Sequence, residues 1–253
     1  QFDLFHEHAQ SIYKLNQLDF TADDYETSSS IWKGGKLENT TKRNPTLGIG
    51  EFVKENIPEI ENSTRFSSRP VFVLDDGRWV DELWHFADSS FFEILSFPVI
   101  SGDLDRALHQ PTDVVLSKAT ALRYFGSTQV VGEEIKISSR LDSDGTYSND
   151  LTQSPTFQVI AVVEVPLNSS IQFDFLIPFN ALKDFSEYSS DRGMMFYSGQ
   201  RYATFLKVNS ESNFSSVQEK INDILRQEYQ PSIDVLRERR KLSEDNPVMS
   251  FEL

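Results

Sequence analysis

The sequence predicts an α+β fold in which a split βαβ layer carries a β-rich insertion, and three observations lead there. A strand, a helix and a strand follow one another near the beginning of the chain. The same order recurs near its end, in "RYATFLKV", "NFSSVQEKINDILRQEY" and "PVMSFEL". Between these units, from residue 101 to 200, strand-like runs dominate, among them "EEIKISS", "TFQVIAVVEV" and "QFDFLIP". Two βαβ halves that pair into one sheet make a ferredoxin-like layer, so residues 1–100 and 201–253 are expected to form one lobe and 101–200 an inserted second lobe.

Each element has a local reason. Phe2, Phe5 and Ala9 space apolar side chains as a short amphipathic helix running into a strand from about Ile12 to Leu18. Residues 21–45 are polar, with a short strand in "SSIWKG". Ile49, Phe52, Val53 and Ile57 form the apolar stripe of a helix that begins near Pro45 and stops at Pro58. "ENSTRFSS" then leads into the hairpin "PVFVLDDGRWVDELWHFA", where Asp76-Gly77 supplies the positive φ angles of a tight turn and Val80, Trp84 and Phe86 share one face. In "DSSFFEIL", Asp88 or Ser89 is expected to cap a helix. "DVVLSKATALRYFG" reads as a strand and a helix capped by Ser117, with Leu122 and Phe125 inward and Gly126 as its stop. "TFQVIAVVEV" is apolar on both faces and belongs at the centre of a sheet. In the last helix Phe214, Val217, Ile221, Ile224 and Leu225 share a face.

Composition excludes several classes of function. The chain has 253 residues, enough for a real core without staples. It has no cysteine, which removes disulfides, thiolate nucleophiles and Cys-bound zinc. Its 24 basic and 39 acidic residues leave a formal charge of −15, which repels nucleic acid and disfavours lying flat on anionic lipid. No run of about 18 apolar residues is present to span a membrane as a helix. The chain opens at "QFDLFHEHAQ" without an initiator Met or a leader pattern, and is read as a piece of a longer protein.

No motif marks a catalytic, cofactor or metal site. His6 and His8 flank Glu7, but i and i+2 diverge on a helix, so both are read as solvated surface side chains. His85 falls on the polar face of a strand and His109 in a loop, neither at triad spacing from a Ser and a carboxylate. "DSDGTYSND" (142–150) has Gly145 in fourth place and no closing Glu, which fits a hairpin tip rather than a calcium loop. "GIG" (48–50) lacks the third glycine of a nucleotide fingerprint. The basic run "VLRERRKL" (235–242) reads as a solvated face, with a membrane-proximal segment as the second reading. Four N-x-Ser/Thr sequons, at Asn39, Asn62, Asn168 and Asn213, carry no weight.

Five segments in order resemble the MacB-like periplasmic core domain of FtsX-type ABC transporter permeases. These are "FHEHAQSIYKLN", with Lys14 where the family pattern has Arg; "FADSSFFEILSFPVISGD"; "VVLSKATALRYFG"; "VVGEEIKI"; and "FQVIAVVEVPLNSSIQFDFLIP". The resemblance implies a porter-like βαβ lobe next to the membrane, an inserted β-rich, Sabre-like lobe, and membrane helices flanking both ends. It also implies a non-catalytic extracytoplasmic domain without cofactors, on the periplasmic face of an inner membrane. Its parent would work with a cytoplasmic ATPase and a second permease copy, and with a periplasmic partner protein, passing ATP-driven movement to a substrate or to that partner. On that reading Phe91, Phe92, Phe97 and Val99 form a buried seam between lobes, the isolated domain is a monomer, Phe2 and Phe251 lie on one face, and loop 140–155 points away from the membrane. The alternative is a free periplasmic module binding a peptide, lipid or sugar, which requires a deep apolar cleft.

Overall fold

The computed structural model describes residues 3, 6–7, 9–20, 40–138, 155–181, 202–240 and 249–253. The "SSIWKG" strand, most of the 140–155 segment including Gly145, His8 and Phe2 lie outside the described residues.

Four strands carry the split βαβ pattern. They are β1 (Ile12–Phe20), β3 (Ile60–Asp75), β10 (Ala203–Val208) and β11 (Met249–Glu252), in spatial order β11-β1-β10-β3 with every neighbouring pair antiparallel. β1 and β3 therefore run the same way with β10 between them, and β10 and β11 run the same way with β1 between them. Helices α1 (Ile49–Asn56) and α4 (Phe214–Arg240) make the two connections. A short β2 (Thr40–Arg43) pairs with the far half of β1. The packing has a size limit. A Cβ on Gly50 of α1 would stand 2.8 Å from Thr204 Cγ2, so the second glycine of "GIG" lets the helix approach the sheet closely.

The sheet does not end at β3. Its far half pairs with β4 (Arg78–Ala87) across an Asp76-Gly77 turn whose φ values are +42° and +74°, as a two-residue hairpin requires. Beyond β4 come β9 (Phe175–Pro178), β6 (Asp113–Ser117), β8 (Thr156–Val163) and β5 (Val99–Gly102), while β7 (Glu134–Ser138) bridges β3 and β8. β8 has paired neighbours on both sides, in keeping with its two apolar faces. Two short α-helices, α2 (Phe91–Ile94) and α3 (Lys118–Phe125), and 3₁₀ turns at Leu104–Arg106 and Phe179–Ala181 lie between these strands.

Several local expectations are corrected. Ala9–Ser11 form a 3₁₀ turn. "ENSTRFSS" is the interior of β3, not a lead-in: Ser63 and Thr64 are buried beneath α1 and beside β10, where only small side chains fit. α3 has the expected Ser117 cap, whose Oγ accepts from the Thr120 amide, and stops at Gly126 with φ +67°. Its inward residues, however, are Thr120 and Ala121; Leu122 is exposed and Phe125 only partly buried. On β4, Trp84 and Phe86 are buried but Val80, near the hairpin tip, is exposed. α4 continues through Pro231, because the proline sits on the solvent side while Tyr229 and Ile233 bury on either side of it. The basic run from Val235 to Arg240 is the last turn and a half of this helix. No described helix is long and apolar enough to cross a membrane.

Candidate functional site: an aromatic seam

Three clusters make the core. One is mostly aliphatic and lies under α1 and α4: Leu15, Ile49, Val53, Leu206, Val217, Ile221 and Leu225 are nearly or fully buried, and the rings of Tyr229 and Phe251 are buried with them. The second fills the middle of the sheet around Trp84, Phe86, Val114, Leu116, Phe157 and Phe175. The third joins residues from both ends of the chain, Ile12 and Phe205, to Val115, Ala161 and Phe173 from its middle. Its keystone is Phe91, fully buried, with ring centroids of Phe66, Phe92, Phe97 and Phe173 at 5.1–6.2 Å. Mixed stacked and edge-on rings of this kind add to the gain from burial itself.

Phe91 and Phe97 are buried, as expected of the seam's side chains, and Phe92 is partly covered. The expectation fails for Val99, which is 48% exposed, because β5 is the last strand of the sheet order and pairs only with β8. His6 is the larger correction. It is 3% exposed, its Nδ1 donates to the Ser96 carbonyl at 2.8 Å, and its ring meets Phe97 edge-on at 5.4 Å. Burial lowers its pKa, against the opposing pull of the Ser96 carbonyl and Asp3. Tertiary contact with a segment ninety residues away made it a core side chain, which local spacing does not reveal.

Next to the seam, Asp88 does not cap α2 as expected. Its carboxylate instead accepts from the Arg65 backbone amide (2.8 Å) and from Arg65 Nε (2.9 Å), and it meets the terminal guanidinium nitrogen as well. Ser90 Oγ, the residue at the start of α2, donates to the Ser63 carbonyl at 2.6 Å. The Arg65 guanidinium lies 4.7 Å from the Phe179 ring centroid. Burial works against its charge, but the bonds and field of Asp88 more than compensate and raise its pKa. This cation–carboxylate–aromatic stack lines a cleft of about 260 Å³ together with Leu47, Leu108, His109 and Asn180. That is a small volume for a ligand-binding pocket.

A second polar group surrounds β9. Asp174 Oδ1 accepts from Ser117 Oγ and Thr120 Oγ1, and Arg123 reaches both Glu82 (2.9 Å) and Asp174 (3.7 Å). Tyr124 donates to Glu82 at 2.7 Å; burial, then that bond, raises its pKa. His85 stacks on Phe66 with centroids 5.1 Å apart, and burial lowers its pKa to about 4 against the pull of Asp174. His109 Nδ1 donates to the Ala107 carbonyl. Among the described residues no histidine is hydrogen-bonded to a hydroxyl nucleophile, and no group of three or more His, Asp or Glu side chains is placed to hold a metal. What these residues do is clamp strands and helices to one another.

The fold and the seam define an α+β module whose aromatic and polar clusters tie strands and helices to one another. The chain belongs to the MacB-like periplasmic core domain family, whose model matches residues 10–224. It is thus a periplasmic-type domain of the MacB/FtsX class of ABC transporter permeases. Three solved structures share its fold. A domain assigned to a permease protein of Porphyromonas gingivalis superposes with a TM-score of 0.64 at 17% identity, covering 99% of this chain and 92% of that one. The periplasmic region of MacB from Actinobacillus actinomycetemcomitans gives 0.51 at 11%, covering 97% and 92%. The extracellular domain of the noncanonic ABC-type transporter YknZ from Gram-positive bacteria gives 0.50 at 13%, covering 94% and 100%. No curated protein matches the sequence.

Proposed function

We propose that this domain carries out no chemistry of its own and passes ATP-driven movement of its parent permease to a substrate or partner outside the cytoplasm. One observation carries the reading. β1 and β11 are antiparallel neighbours, with Asn16 opposite Glu252, so β1 begins and β11 finishes at the same end of the sheet. A module held at two adjacent points can be tilted as a body when those points move. The same reading divides the chain into a membrane-proximal lobe, residues 1–100 and 201–253, and a distal lobe, 101–200. Val73, Trp84 and Phe86 share a core with Val114 and Phe157, so the β3–β4 hairpin would act as the stiff arm between the lobes.

In the parent, a cytoplasmic ATPase and a second permease copy would supply the motion, and the isolated domain would be monomeric. The test is a disulfide introduced between the lobes of the full-length permease, at paired cysteines in a chain that has none of its own. ATP hydrolysis is expected to persist while export stops, and reduction is expected to restore export. Export that continues with the lobes locked refutes the reading. The flanking coding sequence offers a second check, since apolar runs of about 20 residues are expected on both sides.

A further inference from the structure

We propose that Asp3, His6 and Glu7 form a strap that locks the turn at residues 166–172 to the aromatic seam, so that the position of the chain's first residues sets the position of that turn. The proposal uses the transmission reading for its purpose but stands on contacts of its own. One oxygen of the Asp3 carboxylate, Oδ2, accepts three bonds: from the Ser170 amide (2.7 Å), Ser169 Oγ (2.9 Å) and Ser170 Oγ (3.1 Å). Three residues further on, His6 is buried in the seam with its Nδ1 on the Ser96 carbonyl, and the Glu7 amide donates to Ser96 Oγ at 3.3 Å. Asp3 and His6 also face each other, with Nε2 3.9 Å from Oδ2. A stretch of five residues thus grips two segments that are about seventy residues apart in the chain.

The gripped turn is otherwise closed by a few bonds of its own. Ser169 N donates to the Pro166 carbonyl, Ile171 N donates to Ser169 Oγ, and Gln172 Nε2 donates to the carbonyls of Pro166 and Ser169. Ser169 and Ile171 are buried at its base. At its tip Leu167 is 100% exposed. A single exposed apolar side chain is ordinary on a protein surface, and here it marks the solvent-facing tip of the turn. In this arrangement the strap is the input, the Asp3 oxygen the joint, and the Leu167 turn the output. Charge-assisted bonds from backbone amides to a carboxylate are strong enough to hold such a joint and few enough to be released.

Hydrogen exchange on the 253-residue chain tests it, comparing wild type with Asp3→Ala and, as a second break at the seam end of the strap, His6→Ala. Asp3→Ala is expected to raise exchange of the Ser170 and Ile171 amides by about tenfold or more, the effect of losing a charged acceptor, while Val159–Val163 in β8 keep their protection. His6→Ala is expected to loosen Ser170 too, because it removes the seam anchor of the strap and the 3.9 Å contact with Asp3 Oδ2 while leaving every donor and acceptor of the turn's hydrogen bonds in place. A spin label at Leu167→Cys, unique in a cysteine-free chain, should gain mobility in both variants. If Ser170 keeps wild-type protection in Asp3→Ala, or loosens only there and not in His6→Ala, the strap is overturned. The transmission reading fails separately, if export in the parent survives locking of the lobes while these exchange results hold.

Discussion

The core beneath α1 and α4 and the core around Phe91 are buried equally well, yet they are built on opposite plans. The first is mostly aliphatic, with one buried ring pair at Tyr229 and Phe251, and is drawn from regular elements, each contributing residues at its own helical or strand period. The second is aromatic and stitched from β3, α2, the 97–99 bend, the 171–173 segment and the chain's first residues, with polar clamps at its rim. A regular core can be assembled from two periodic surfaces. An irregular one needs large rigid rings to fill its gaps and directional bonds to fix its register. The difference teaches where distant parts of the chain are joined outside regular elements: the seam is where the first residues, the 97–99 bend and the 169–173 segment meet.

Truncating the keystone of each core gives the sharpest contrast. Phe91→Ala removes a fully buried ring with four aromatic neighbours and should cost about 4 kcal/mol, against about 3 kcal/mol for Leu225→Ala in the aliphatic core. Urea unfolding of the two variants checks this. A Phe91→Ala loss well below that of Leu225→Ala would show that the seam is a surface feature, not a core.

The end of the seam segment offers the next test. Gly102 has φ +90°, and a Cβ there would stand 2.2 Å from the Ile160 carbonyl oxygen and 2.6 Å from Ala161 Cα, both backbone atoms of β8. Gly102→Ala must push two strands apart and should lose about 3 kcal/mol. Gly126→Ala has a similar positive φ but open space around it, so it should lose only about 1 kcal/mol. Equal losses at the two sites, measured by thermal or urea unfolding, would mean that β5 is free to shift.

Asp88→Ala comes third. It leaves a largely covered Arg65 guanidinium and the Arg65 amide without their acceptor, and a loss of about 2 kcal/mol is expected, less than for a fully buried pair because both side chains retain some exposure. Asp88→Asn keeps one acceptor oxygen and should lose less. If alanine and asparagine behave alike and near neutrally, the clamp contributes nothing to the seam.

How much of this was legible in the sequence follows from the same contrast. The split βαβ order, the Asp76-Gly77 hairpin, the Ser117 cap and most of the last helix's stripe (Val217, Ile221 and Leu225 buried, Ile224 partly so, Phe214 exposed at its start) arise from short-range rules and could be read along the chain. The strand interior at Asn62–Thr64 could not, because small polar residues were selected by a helix lying close above them and carry no alternation. Nor could the burial of His6, the Arg65–Asp88 clamp or the Asp3 contacts with Ser169 and Ser170, since each depends on partners 23 to 167 positions away. The aromatic run "FFEILSF" did signal a seam; what it could not signal was which segments close over it. The last helix runs past Tyr229, the end of the segment "NFSSVQEKINDILRQEY", because Pro231 lies on its solvent face and leaves Tyr229 and Ile233 packed.

The smallest expected effect concerns pH and separates the two cores once more, since the histidines with shifted pKa values lie in or beside the seam and none lies under α4. His85 stacks on Phe66, and burial lowers its pKa from 6.5 to about 4. Its sign follows from linkage. Below pH 6.5 the unfolded chain takes up a proton on His85, whereas the folded chain does not until the pH nears 4. The unfolded state therefore binds more protons throughout that window, and stability contributed by neutral His85 is full above pH 6.5 and is lost as the pH falls towards 4. Because the ring retains some exposure, about 1–2 kcal/mol of loss is expected from it rather than the full equivalent of the shift. His6, shifted in the same direction, adds to the loss. Replacing the titrating ring by His85→Phe should flatten the fall in urea-unfolding stability between pH 7 and pH 4.5, whatever its effect at pH 7, while Leu225→Ala should leave the slope unchanged. A His85→Phe slope as steep as wild type would place the acid sensitivity elsewhere in the molecule.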